Sequence, residues 1–259
     1  MKTKLISMVG ALLIYMFSSF AICGIDLDDI NVQPDTKVQD LLSAQNYLDR
    51  IGYNIQDREF PLLIEAVTHF LDSDHYPVTN TELNSASAIL AFSFGIVAEE
   101  DGEISPGPTN QGLAKIATDL HSQTTLPVYA QWPIAESAHD DFNYIVDYAA
   151  YSLDSFLTAR EMITRLESKG LIHKGETLIV VANYDHGFRI RKLLEKKGYN
   201  VLFGSNMYIP SGGWEQQFDV DNGFGYSNES SQIWTKTRAN FISEEVYWLI
   251  NDLYLGYLD

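Results

Sequence analysis

The chain predicts an α/β fold: a three-layer, Rossmann-like, mostly parallel sheet behind a helical N-terminal extension. Three observations predict it. Four apolar runs, residues 86–94, 126–131, 177–183 and 200–203, lack polar alternation, as strands covered on both faces do. Helix-period segments separate them, which calls for parallel pairing through crossovers. Each run stops at polar, aromatic or glycine residues, and the carboxyl ends of such strands are where open α/β sheets bind ligands.

The elements follow in order. Residues 22–85 form the extension. Val38, Leu41, Leu42 and Leu48 space as one apolar helix face. Pro61 suits a first helical turn and opens a run through Val67, Phe70 and Leu71. Thr81-Glu82-Leu83 predicts a further short helical piece. Residues 86–259 form the α/β domain. After its first strand, residues 99–108 read as a turn-rich loop with Asp-Gly and Pro-Gly-Pro. Thr109-Asn110 supplies a capping side chain for a helix carrying Leu113, Ile116, Ala117 and Leu120. The second strand ends near Glu136 and Ser137. Residues 144–151 fit strand or helix, with strand preferred. Residues 152–169 predict a helix stopped by Gly170 and capped by Asp154 or Ser155. The third strand runs into a tight turn and a helix over 190–197, closed by Gly198. The last strand, 200–203, leads to a Gly- and aromatic-rich loop over 209–229. A helix over 241–255 carries Val246, Trp248, Leu249, Ile250 and Leu253.

Lys2 and Lys4 precede an apolar run over residues 5–22, with Ser19-Phe20-Ala21 as a small-residue exit. This reads as a secretory signal over residues 1–21, giving a periplasmic or secreted product. The alternative is an uncleaved anchor facing the periplasm, because the run approaches the ~18 residues of a spanning candidate. A lipid-modified Cys23 ranks last, because Ile22 is too large for the preceding position. Cys23 is the only cysteine, so the mature body has no internal disulfide and no Cys-ligated metal. The formal charge is -18, and loss of Lys2 and Lys4 takes it to -20. Nucleic acid polymers and anionic lipid surfaces are repelled by such a body. Membrane contact is expected only through the N-terminal segment. An anionic ligand then needs a local basic pocket, for which Arg189 with Arg191 and Lys192 is the candidate.

The strand ends define a candidate rim. Ser93 and Gly95 follow the first strand, and Asn110 opens the next helix beside backbone N–H donors. Glu136 follows the second strand. The third ends in Asn183-Tyr184-Asp185-His186-Gly187-Phe188-Arg189. One sheet aligns all of these, so Ser93, Glu136, Asp185, His186 and Arg189 are expected to converge on one cleft. In it Arg189 holds an anionic group. A cation in a first helical turn opposes the macrodipole, and a bound anion relieves that conflict. The alternative is an ion pair of Arg189 with Asp185 or another acid. His186 serves as hydrogen-bond donor or general acid/base, with Asp185 or Glu136 to orient or activate it. Ser93, Gly95, Asn110, Asn183 and Arg189 are the ligand-binding candidates.

Rival motifs are weaker. Ala91-Phe92-Ser93-Phe94-Gly95 resembles a nucleophile elbow, but an elbow needs a helix directly afterwards and a loop follows here. Asp219-Val220-Asp221-Asn222-Gly223 has its glycine one place early for a calcium loop. The six His show no metal spacing, so no metal site is assigned. No GxGxxG follows any strand, which disfavours a nicotinamide enzyme and leaves the cofactor undefined.

Across about residues 86–255 the order of segments resembles the bacterial family of unknown function that includes SanA, ElyC and YdcF. Asn183-Tyr184-Asp185-His186-Gly187-Phe188-Arg189 is similar to that family's strand-ending Asp-aromatic-His-x-x-Arg turn. Thr158-Ala159-Arg160-Glu161, Trp234 and the helix around Glu244, Glu245 and Tyr247 carry the rest. Phe92-Ser93-Phe94-Gly95 and Ala130-Gln131-Trp132-Pro133 depart from its two glycine loops. The resemblance implies a Rossmann-like fold, export or membrane anchoring, a nucleotide-type ligand, and a role in envelope integrity or cell-wall precursor metabolism. Two functions stay open. One is an envelope-associated protein with a crevice for a small phosphorylated or nucleotide-like ligand, extending to a cryptic enzyme. The other is a non-catalytic module that contacts protein or glycan through its aromatic loop and helical extension.

Overall fold

The computed structural model describes residues 62, 65–66, 80–98, 103–151, 157–203, 230–232, 235 and 238–258. All lie within one compact unit, Lys37–Asp259. Five parallel strands form the central sheet in the order β5-β4-β1-β6-β7. They are β1 (Ala86–Ala91), β4 (Val128–Gln131), β5 (Tyr148–Ala150), β6 (Thr177–Val181) and β7 (Asn200–Phe203). A small antiparallel hairpin, β2 (Val97–Ala98) with β3 (Ile104–Ser105), stands after β1. The helices are α1 (Asn80–Leu83), α2 (Pro108–Thr124), α3 (Trp132–Phe142), α4 (Ala159–Ser168), α5 (Tyr184–Lys197) and α6 (Arg238–Tyr254).

The sheet is covered on both sides, as its unbroken apolar strands require. Ile89 and Ala91 of β1 face one way and pack with Ile179 and Val181 of β6, Leu113 and Leu120 of α2, and Ile134 of α3. Ala88 and Leu90 face the other way, onto Met162 and Leu166 of α4, Ile190 and Leu194 of α5, and Ile242 and Leu249 of α6. This alternation follows from the two-residue period of a strand. Leu62 and Ala66, the buried members of the extension among the described residues, join that second core. Each fully buried Leu, Ile or Phe contributes about 1.5–3 kcal/mol of transfer free energy, so the two cores anchor β1 from both faces.

The connections β1–α2–β4 and β4–α3–β5 run toward one sheet edge, and β6–α5–β7 toward the other. The topological switch point therefore falls between β1 and β6. Phe92 N still donates to Val181 O at 2.8 Å, which extends this pairing just past β1. Beyond it β1 leads into an irregular loop and β6 into α5, and the carboxyl edge at such a switch point is where open α/β sheets bind ligands.

Several boundaries differ from the sequence expectation. β1 stops at Ala91, and residues 92–96 form an irregular loop that satisfies its backbone through side chains. The loop over 99–108 includes strand β3, half of the hairpin. α2 starts at Pro108 after N-cap Gly107, so Asn110 is its third residue and not a cap. β4 passes straight into α3, with Pro133 in the first turn, which puts Glu136 inside a helix. Thr158 caps α4 in a reciprocal box with Glu161. Asp154 and Ser155, the expected caps, lie outside the described residues. α5 begins at Tyr184, because the Asn183 side chain caps it by accepting from His186 N at 3.2 Å. The expected tight turn is thus the first turn of the helix itself. Gly187 is needed there for packing: a Cβ would sit 1.5 Å from Phe203 Cζ. Residues 1–61, the loop over 209–229 with its calcium-like acids, and Trp234 lie outside the described residues. Among the described residues no helix is long and apolar enough to cross a membrane.

Candidate functional site

Neutral side chains hold the β1 loop. Gln131, at the end of β4, is the N-cap residue of α3 but does not cap it. Its Oε1 instead accepts from Ser93 N at 2.7 Å and Ser93 Oγ at 2.9 Å, while its Nε2 donates to Leu157 O at 2.5 Å. Asn110 does the same from α2. Its Oδ1 accepts from Phe94 N at 2.8 Å, and its Nδ2 donates to Gly95 O at 2.5 Å and Pro106 O at 2.6 Å. Ser93, Asn110 and Gln131 are all buried. Gly95 adopts φ +71°, and a Cβ there would press within 3.0 Å of the Ser230 and Thr235 hydroxyl oxygens. A side pocket beside this loop is lined by Gly95, Gly107, Thr109, Ser230 and Thr235. Its volume of about 10 Å³ gives room for roughly one water. No side chain caps α2 here, Pro108 has no N–H, and Gln111 N donates to Gly107 O at 3.3 Å, so the Thr109 and Asn110 N–H groups are the ones left to acceptors outside the helix.

A charged chain ties α4 and α5 to α6. His186 Nδ1 lies 3.5 Å from Glu245 Oε1. That is ion-pair range, but no hydrogen bond is formed, and Nδ1 is buried without another partner. Arg189 Nε donates to Glu245 Oε1 at 3.1 Å, and its Nη1 to Asp252 Oδ2 at 3.3 Å. Arg160 of α4 reaches Asp252 Oδ1 at 3.4 Å. Glu245 and Asp252 are 1 % and 4 % exposed at the side chain. Burial raises the Asp252 carboxyl above its usual range; Arg189 and Arg160 oppose the shift, and Glu245 adds to it. Contacts of 3.3–3.4 Å are long for charge-assisted bonds, which is why desolvation prevails.

The rings of Phe94 and His186 link the two regions at 6.2 Å between centroids, and Phe241 packs edge-on against His186 at 5.8 Å. Ser93, Gly95 and Asn110 thus share one cluster, His186 meets it through the Phe94 ring, and Asn183 caps the helix that carries His186. Asp185 is buried in the first turn of α5. Glu136 stands apart. It is half-buried on α3, which covers the opposite face from α5, and β4 lies two strand spacings, about 10 Å, from β6. Burial raises its carboxyl, with Asp140 adding to the shift.

Two premises about Arg189 are corrected. It lies in the second turn of α5, where the macrodipole has faded. The expected basic pocket also does not form, because each cation faces its own acid: Arg189 with Glu245 and Asp252, Arg191 with Glu195, and Lys192 with Glu65. The contacts of Arg189 match the ion-pair alternative, with α6 and not Asp185 supplying the acids. Sequence reasoning did not single out Asp252 at all, and took Gln131 and Glu245 only as a strand end and a point of resemblance. A signal was present. Glu245 and Asp252 are seven residues apart and interrupt the apolar stripe of Ile242, Val246, Leu249 and Ile250.

The fold is that of a Rossmann-like α/β protein, with buried polar side chains beside the switch point. No family model, curated protein or solved structure matches the chain.

Proposed function

We propose that this is an exported, envelope-associated protein whose switch-point crevice binds a small anionic ligand of the phosphorylated or nucleotide-like class. The family resemblance given above supports the same assignment, and a role in cell-wall precursor metabolism follows from it. The observation that carries the proposal is the start of α2 without a side-chain cap, tied through Asn110 to Phe94 and Gly95, with the Phe94 ring against His186. Backbone N–H groups at a helix start favour anions without a cationic side chain. That suits a crevice whose nearby arginines are already paired. His186 is the acid/base candidate within it.

A thermal-shift series with inorganic phosphate, nucleoside phosphates, sugar phosphates and nucleotide-linked sugars tests this. One phosphorylated class should raise the melting temperature, by the equivalent of about 2.7 kcal/mol at a hundredfold excess over Kd. Stabilisation by none of them rejects the proposal.

A second function rests on α6. Tyr247, Trp248 and Tyr254 of α6 and Leu255 just beyond it are 37–55 % exposed and recur at a seven-residue spacing. Such a stripe suits contact with protein or glycan. Loss of cell-wall glycan retention in a Trp248→Ala variant, with no phosphorylated ligand stabilising the protein, would favour it.

A further inference from the structure

We infer that Glu245 is a positioning residue for His186, holding the neutral imidazole as its Nδ1–H tautomer with Nε2 as the acceptor toward the crevice. The inference rests on the crevice proposed above and adds the chemistry of the ligand group that meets His186. A carboxylate only accepts hydrogen bonds. The Glu245 carboxylate lies 3.5 Å from the buried Nδ1, which has no hydrogen-bond partner, so the ring hydrogen belongs on that nitrogen. Glu245 is itself fixed, being 1 % exposed and bonded through the same Oε1 to Arg189 Nε at 3.1 Å. Phe94 and Phe241 hold the ring plane, and the Asn183 cap holds the His186 backbone.

Nε2, in contrast, has no hydrogen bond among the described residues and is not among the buried orphan atoms. With the hydrogen on Nδ1, it presents a lone pair. The ligand group beside it must then donate, as a sugar or nucleoside hydroxyl does. A phosphate oxygen would meet lone pair against lone pair. The anionic part of the ligand therefore belongs at the α2 start, and a hydroxyl-bearing part at His186. Arg189 enters as a second positioning residue, through Glu245.

Two-bond nitrogen–proton correlation NMR of the full chain in mildly alkaline buffer tests this. The His186 signals are assigned by their loss in His186→Gln. The wild type should show the Nδ1–H tautomer as its dominant form. In Glu245→Leu the dominant form should switch to Nε2–H, the usual preference of a free imidazole. If that variant does not fold, Glu245→Asp, with its carboxylate drawn back by one methylene, should show a mixture. A dominant Nε2–H form in the wild type overturns the inference, as does an unchanged tautomer in the folded variant. Both readouts are independent of phosphate binding, so failure of the anion-site proposal would be seen separately.

Discussion

The β1 loop and the α5–α6 interface both bury polar groups at the carboxyl edge, one with neutral amides and the other with alternating charges. In the first, Asn110 and Gln131 satisfy backbone donors and acceptors at 2.5–2.8 Å. Each amide carries both a donor and an acceptor, so one side chain pins two strands of backbone without desolvating a charge. In the second, two arginines, two carboxyl groups and His186 meet at 3.1–3.5 Å, and no single partner neutralises Asp252 fully. The neutral lattice fixes geometry at any pH. The charged chain ties three helices together, at a desolvation cost that depends on protonation.

The largest expected effect breaks the charged side. Arg189→Ala leaves Glu245 and Asp252 buried without their shared cation and should cost about 3–5 kcal/mol in urea unfolding. Adding Glu245→Leu and Asp252→Leu should recover much of that loss, because a well-packed apolar substitute is often as stable as a buried ion network. A loss below 1 kcal/mol for Arg189→Ala would mean that the network is solvated. It would also return Arg189 to the list of ligand contacts.

Breaking the neutral side should cost less. Asn110→Ala orphans Phe94 N, Gly95 O and Pro106 O and should destabilise by up to about 3 kcal/mol, the upper end for unsatisfied buried groups. This penalty should be flat across the acid range, since no member of the lattice titrates there. A pH-dependent penalty would show that the two regions are coupled.

Gly187→Ala probes the seat of His186 on the sheet. Its Cβ would overlap the Phe203 ring, and the repacking should cost about 1–3 kcal/mol. Adding Phe203→Leu, which gives the new methyl room, should restore part of the stability in the same assay.

The smallest effect is in pH dependence. The folded-state pKa of Asp252 is raised above its ordinary 3.8, so folding favours the protonated acid. Its contribution is fully present below the ordinary value and is lost as pH rises through the raised one. Between those two values the wild type should lose stability relative to Asp252→Asn. Denaturant titrations across that window should show a steeper decline for the wild type. The opposite slope would mean that Arg189 and Arg160 outweigh burial.

Local chemistry explains why the strands were legible. A strand buried on both faces needs an unbroken apolar run, and the runs at 86–94, 126–131, 177–183 and 200–203 contain β1, β4, β6 and β7, the first three overrunning the observed strands by two or three residues. Gly198 and the α6 period were legible for the same reason. Helix starts were less so. Thr158, Asn183 and Gly107 begin helices through caps or backbone turns that several nearby residues satisfy equally well in one dimension.

By itself, the sequence determined the layers, the parallel strands and which residues stand at strand ends, because these follow from hydrophobic period and chain connectivity. Tertiary structure alone decided partners. Nothing local distinguishes an Arg189 that awaits a ligand from one that pairs with Glu245 and Asp252, more than fifty residues away. Nor does any local pattern aim Gln131 at Ser93, or place Phe203 against Gly187. Side-chain pairing is set by distance in space, and packing elements from separate parts of the chain is what creates those distances.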